Sequence, residues 1–297
     1  MNSRINEYRS TPDLHGLFMT NTEVAKDAPL AGSLAICLLD TGDGKVTHLR
    51  GWPRAKWWAS PLLFWDDFSD DGQLGPEAAE LNAVGSICLQ RGIAAGAQAE
   101  YTFVLAWHFP NRTPAWCGWN SNTEADGNAI IGNYYSKRFR DAWDSAEYAA
   151  ANLPSLEKRM HTFLTAMRET TLPAAVKEAA MANLSTLVTP TCFRTADGKF
   201  RGFEGINDDR GCCHGNCTHV WNYETTTQFL FPALARSMRE AAFDLAGRLD
   251  GVLPIRLSLP EGKQTGGITA AVGTMGQIIK AYLDWQLSGD QAWLGQI

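Results

Sequence analysis

The hydrophobic pattern changes period partway along the chain. Over the first 135 residues, apolar positions alternate or gather in short runs bounded by Gly, Pro and Asp, the mark of strands. Ser33–Asp40 (SLAICLLD) and Lys45–Trp52 (KVTHLRGW) flank Thr41-Gly42-Asp43-Gly44, and this arrangement predicts a hairpin. Tyr101, Phe103, Leu105, Trp107 and Phe109 alternate with Thr102, Val104, Ala106 and His108, which predicts a strand with one face buried. A β-sandwich over residues 1–135 is the expected architecture.

From residue 136 the period becomes helical. Phe139, Trp143, Ala146, Ala150 and Leu153 form one stripe. Leu156, Met160, Phe163, Leu164 and Met167 form a second behind Pro154, and Val176, Ala180, Leu184 and Leu187 a third behind Pro173. The rhythm breaks at Thr191–Phe203 (TCFRTADGKFRGF), where Asp197-Gly198 between strand-like flanks predicts a hairpin. Helical spacing returns at Phe231–Leu245 and Met275–Leu287. Roughly 30 residues thus lie between two helices, far beyond the usual two to eight, and connections of that length that carry Trp, Tyr, His and Cys are functional.

Composition narrows the classes. With 297 residues, 45% of them apolar and 20% charged, the chain has enough apolar side chains for a real core. Its net charge of −6 argues against nucleic acid as a partner. No apolar run approaches the roughly 20 residues that span a bilayer, so no membrane span is expected. The opening MNSRINEYRSTPDLHG lacks the apolar stretch of a signal peptide, which predicts a cytoplasmic protein. Seven cysteines, three of them within Cys212–Cys217, fit free thiols better than a disulfide framework. Of eleven Trp, seven precede residue 120; indole faces suit sugar rings, and they also fill cores.

Three chemistries can be read from Gly211–Glu224 (GCCHGNCTHVWNYE). Cys212, Cys213, His214, Cys217 and His219 are all metal-ligand types, yet they form one cluster instead of two spaced pairs, and no metal is expected. A cysteine nucleophile with a histidine base is the second reading, set against small thiols packing a Gly-rich loop. The third is a carboxylate nucleophile, Glu224, oriented beside Trp221, Asn222 and Tyr223. A Glu that satisfies free N–H groups at a helix start has the same spacing.

The run GCCHGNCTHVWNYETTTQFLFPALARSMRE (Gly211–Glu240) closely resembles glycoside hydrolase family 116, the bile-acid β-glucosidase or non-lysosomal glucosylceramidase-like family. Leu105–Arg112 (LAWHFPNR) and the Trp-rich Gly51–Gly72 resemble that family's N-terminal domain. The resemblance implies an N-terminal β-sandwich over residues 1–135, followed over 136–297 by the first part of an (α/α)6 toroid. It also implies retaining hydrolysis of a β-glucoside or glycolipid with no organic cofactor. Glu224 ends the family's His-Val-Trp-Asn-Tyr-Glu motif and is thereby the implied nucleophile. Trp221 and His219 are the implied shapers of the glycone subsite.

Two departures qualify the resemblance. Retaining hydrolysis needs a second carboxyl about 5–5.5 Å from the first, and the family's acid/base lies much further along the chain than the 73 residues that follow Glu224. The segment is therefore expected to be a fragment that is inactive alone and exposes apolar helix faces. Val272, in Ala271–Gln277 (AVGTMGQ), stands where the family often has an Asp lining the sugar site. Glu204, Asp208 and Asp209 share the long connection with Glu224, but they read as solvated or paired with Arg210. Two other functions compete: a non-catalytic carbohydrate-binding or regulatory protein lacking the acid/base, and an inverting toroid glycosidase.

Overall fold

The computed structural model describes residues 3–119, 121–182, 184–208, 211–213 and 215–297. Antiparallel sheets dominate the N-terminal region and helices the remainder. The chain forms two compact units, Met1–Pro110 with Arg138–Thr165, and Asn111–Lys137 with Ala166–Ile297.

The first unit is built on a four-stranded antiparallel sheet. Its strands β1 (Arg4–Ser10), β2 (Leu14–Asn21), β3 (Ser33–Leu39) and β6 (Thr102–His108) lie in the order β1-β2-β3-β6. Strands β4 (Lys45–Leu49) and β5 (Ser86–Gln90) form a separate antiparallel pair. That pair lies on the four-stranded sheet: His48 stacks on Tyr8 with ring centroids 3.9 Å apart, and a Cβ at Gly85 would overlap Leu17. Helix α3 (Ala142–Glu169) covers the other face with Ala142, Trp143 and Ala146. These meet Leu14, Phe18, Ala35, Cys37, Leu39 and Ala106. Two polar ties fix the start of α3, from Ala142 N to Ser33 Oγ (2.9 Å) and from His108 Nε2 to Phe139 O (2.9 Å).

Three sequence expectations change here. Ser33–Leu39 and Lys45–Leu49 do not pair with each other: β3 is taken by β2 and β6, and β4 turns away to β5. Turn residues set where a chain can reverse, but long-range partners competed for the same strand edges. In β6 the buried face is the small one, Ala106 and His108, while Phe103, Leu105 and Trp107 are exposed. A helix carrying Trp143 can approach a sheet closely only where the sheet side chains are small, as Ala35, Cys37 and Ala106 are. The stripes on either side of Pro154 belong to one 28-residue helix with the proline inside it. An internal proline removes one backbone hydrogen bond and need not end a helix that packing holds at one end. The sequence reading also passed over α1 (Ser60–Asp71), which has Pro61 in its first turn and ends at Gly72 in the left-handed conformation.

In the second unit, α2 (Glu124–Asn128) is capped by Thr123 Oγ1, which accepts from Asp126 N at 3.1 Å. After α4 (Ala174–Met181) and α5 (Leu184–Leu187), β7 (Cys192–Arg194) and β8 (Phe200–Gly202) form the expected hairpin, with Gly198 at φ +91° in its turn. Two further short antiparallel pairs follow, β9 (Gly205–Ile206) with β10 (Gly211–Cys212) and β11 (Asn216–Cys217) with β12 (Arg256–Leu257). Helices α6 (Thr226–Leu230), α7 (Pro232–Arg248), α8 (Ala271–Ser288) and α9 (Gln291–Leu294) complete the unit. The inner face of α7 (Ala241, Ala242, Leu245 and Ala246) buries Leu253 and Leu257. Among the described residues no helix is long and apolar enough to cross a membrane.

Candidate functional site

The connection from β8 to α6 is tied down by its own side chains. Asn216 joins β11 to β8: its Oδ1 accepts from Gly202 N at 2.7 Å and its Nδ2 donates to Phe200 O at 3.3 Å. Thr218 N donates to Ile255 O at 2.9 Å. Trp221 is buried, donates from Nε1 to Phe203 O at 3.2 Å, and meets the edge of Phe200 at 5.8 Å. Gly202 lies so close under the indole that a Cβ there would overlap the Trp221 ring. Gly273 and Gly276 allow the same closeness between α8 and the loop, because a Cβ on either would strike Thr218 or Asn222.

This frame sets the direction of Glu224. Its Oε1 accepts from Thr227 N at 2.8 Å and its Oε2 from Thr227 Oγ1 at 2.6 Å. The side chain is half-buried, so both carboxylate oxygens are oriented from one side. The loop backbone is held by Lys280 of α8, whose Nζ donates to Trp221 O at 2.9 Å and also to Glu224 O. Gln228 Nε2 donates to Lys280 O (3.0 Å) and to Asp284 Oδ1 (2.9 Å). Arg239 of α7 closes this layer, donating to Gln277 and standing 3.8 Å from Asp284 Oδ2. Burial pushes Lys280 down to about 8, helped by the Arg239 charge and opposed by Glu224 and Asp284. Burial likewise lowers Arg239 to about 10 and raises Asp284.

Glu224 opens onto a cavity of about 220 Å³ lined by Thr186, Thr191, Glu204, Trp221 and Tyr223 among others. Two carboxylates thus share one cavity wall. They are not equivalent, because Glu204 is paired with Arg256 at 2.7 Å. Burial raises the Glu204 pKa, but hydrogen bonds from Cys217 and Arg256 and the Arg256 charge outweigh it and leave the group below the usual carboxylate range. Glu204 is therefore ionised at neutral pH. A second cavity, of about 580 Å³, lies among α6, α7 and α8 beside Gln228, Arg236 and Asp284.

The other sequence candidates differ in where they lie. His219 packs edge to face on Tyr223, a ring that lines the cavity, with centroids 5.8 Å apart. Trp221 gives an edge to the cavity, while most of its surface packs with Cys192, Phe200, Cys217 and Met238. Asp208 is exposed, and Asp209, Arg210 and His214 lie outside the described residues. Val272 lies in the first turn of α8, where its carbonyl accepts from Asn222 Nδ2 at 3.5 Å.

Two of the loop thiols, Cys213 and Cys217, are shifted toward the protonated form. The Cys212 and Cys213 sulfurs are 3.5 Å apart, and Cys213 is pushed up to about 11 by its hydrogen bond with Cys212 and by Glu204. Cys217 is raised by burial, and its sulfur accepts from Val220 N at 3.3 Å. A thiolate nucleophile needs the opposite shift. Among the described residues no three of His, Cys, Asp and Glu converge as a metal site. Of the tryptophans, Trp57 and Trp58 are 93% exposed, each with left-handed backbone.

Sequence reasoning missed Lys280, Asp284, Gln228 and Arg239. A signal was present: Lys280 and Asp284 stand four apart in the otherwise apolar run IIKAYLDWQL, which places two charges on one face of a helix.

Residues 1–156, more than half of the chain, match a family model described as beta-glucosidase 2, glycosyl-hydrolase family 116, N-terminal. The match ends within α3. No curated protein matches the chain.

Proposed function

The chain belongs to glycoside hydrolase family 116, and on that premise we propose that it carries the nucleophile side of a retaining β-glycosidase site, with Glu224 as the attacking carboxylate. The observation that carries this reading is the placement of Glu224: a carboxylate oriented by Thr227, on a loop fixed from behind, opening onto a small cavity beside aromatic rings. In this reading a β-glucoside, or the sugar of a glycolipid, enters the cavity next to Trp221 and Tyr223. A Glu224 oxygen attacks the anomeric carbon, the bond to the leaving oxygen breaks, and a glycosyl ester forms. Water later cleaves that ester. The β-sheets and helices correspond, in the same reading, to a β-sandwich and part of an (α/α)6 toroid.

The leaving oxygen needs a proton. Glu204, the other carboxylate on the cavity among the described residues, is ionised beside Arg256 and cannot supply one at neutral pH. The chain on its own is thus suited to substrates whose leaving group needs no protonation. With a dinitrophenyl β-glucoside we expect a burst of phenolate of up to one equivalent, followed by slow turnover, and no burst from Glu224→Gln. An ordinary alkyl β-glucoside should remain uncleaved. A burst of equal size from Glu224→Gln would overturn the assignment.

A second reading has an observation of its own. Both Glu224 oxygens are already engaged by Thr227, as in a helix-start cap, which suits a carbohydrate-binding protein without chemistry. Saturable glucose binding with no phenolate burst would favour it.

A further inference from the structure

Helix α8 has two unlike faces. Met275, Ile278, Ile279 and Tyr282 form a stripe at helical spacing, each more than half exposed. Gly273, Gly276, Gln277, Lys280, Ala281 and Asp284 are buried on the other side. Placing a lysine on that inner face is costly, since burial of an ammonium is unfavourable unless hydrogen bonds and opposite charge offset it. Lys280 is 4% exposed, and the offsets are its two bonds to the loop carbonyls. Those carbonyls belong to Trp221 and Glu224, three residues apart, so one ammonium clamps both sides of the turn that presents the Glu224 side chain.

We propose that Lys280 is a positioning residue for nucleophilic attack, fixing the backbone of Trp221–Glu224 so that the Glu224 carboxylate keeps its aim into the cavity. The proposal rests on the reading of Glu224 as nucleophile. A displacement of about 1 Å in an attacking group can cost on the order of a hundredfold in rate. The side-chain anchor at Thr227 lies beyond Glu224 in the chain, whereas Lys280 also holds the Trp221 carbonyl, three residues before Glu224.

The clamp has a charge dependence that a purely space-filling residue would lack. The charged groups facing Lys280 are Arg239 from α7, Glu224 from the loop and Asp284 one turn further along α8; Arg236 of α7 acts in turn on Asp284. Gln228 of α6 and Gln277 of α8 complete the layer and do not titrate. Loss of the ammonium proton weakens charge-assisted bonds to both carbonyls. Lys280 titrates near 8, within reach of an ordinary pH profile.

The test is the rate at which the whole chain is labelled by a dinitrophenyl 2-deoxy-2-fluoro-β-glucoside, followed by intact mass from pH 5.5 to 9.5. This reagent traps the glycosyl ester and needs no general acid. In the wild type the rate should fall along an alkaline limb with its midpoint near pH 8. Asp284→Asn keeps the acceptor for Gln228 but removes a charge that holds the proton on Lys280, so the limb should move about one unit toward acid. Lys280→Met should label at least about tenfold more slowly at pH 6.5 and show no such limb. A wild-type profile with no alkaline limb would overturn the proposal. So would an unmoved limb in Asp284→Asn, which remains decisive if Lys280→Met does not fold. Failure of the wild type to label at any pH would instead remove the underlying assignment of Glu224.

Discussion

Glu224 and Glu261 show how differently two carboxylates of one unit are used. Glu224 is oriented by a backbone N–H and a hydroxyl, whereas Glu261 bridges Lys199 and the fully buried Arg201. Burial pushes the Glu261 pKa up, but the bond from Lys199 and the Arg201 charge bring it below the usual Glu value. The unfolded chain therefore binds more protons than the folded one in acid. The stabilisation is complete above the unfolded value and is lost as pH falls through the folded one. Glu261→Gln leaves the Arg201 charge without its partner and should cost about 2–3 kcal/mol at pH 7. Urea denaturation of both forms checks this, and their difference should shrink at pH values below the ordinary Glu range. Little of this residue-scale detail is legible in the sequence. Glu224 stands out only through its motif, and nothing in the spacing reveals that Glu204 meets the same cavity, because a fold-specific loop path brings them together.

Elements were legible where their signals are local. Asp197-Gly198 marks the β7–β8 hairpin, and the apolar spacing of α7 matches its buried face, whereas the apolar stripe of α8 is exposed and its buried face carries Gln277, Lys280 and Asp284. Thr41–Gly44 carries an equally good turn signal, yet β3 and β4 part because pairing is decided between distant strands. Pro154 reads as a helix start and sits inside α3, whose first turns are held by the sheet beneath Trp143. A contact between two elements gives the next prediction. The β8 backbone reaches Trp221 only because residue 202 has no side chain. Gly202→Ala should force the indole away, costing about 2–3 kcal/mol by overpacking. A shift in the tryptophan emission should accompany it, since Trp221 would lose its bond to Phe203 O. An unchanged unfolding midpoint would mean the loop yields more easily than its ties suggest.

On the scale of the whole chain, the apolar stripe Met275, Ile278, Ile279 and Tyr282 is uncovered, and Phe229 and Phe231 are exposed as well. Contiguous apolar surface of this kind promotes association, which a net charge of −6 opposes only weakly at physiological salt. The chain should self-associate at micromolar concentration by light scattering, and Ile279→Lys should reduce that association. The same molecule brings together a family-116 N-terminal region and a loop that presents Glu224 to a cavity. The claim joining them is that Glu224 forms a covalent bond to sugar. Its most direct test is peptide mapping of the chain after reaction with the dinitrophenyl 2-deoxy-2-fluoro-β-glucoside. A single adduct is expected on the peptide containing Glu224, with fragment ions placing it on that residue. An adduct on another carboxylate, Glu204 above all, or an unmodified chain that still binds glucose, would contradict it.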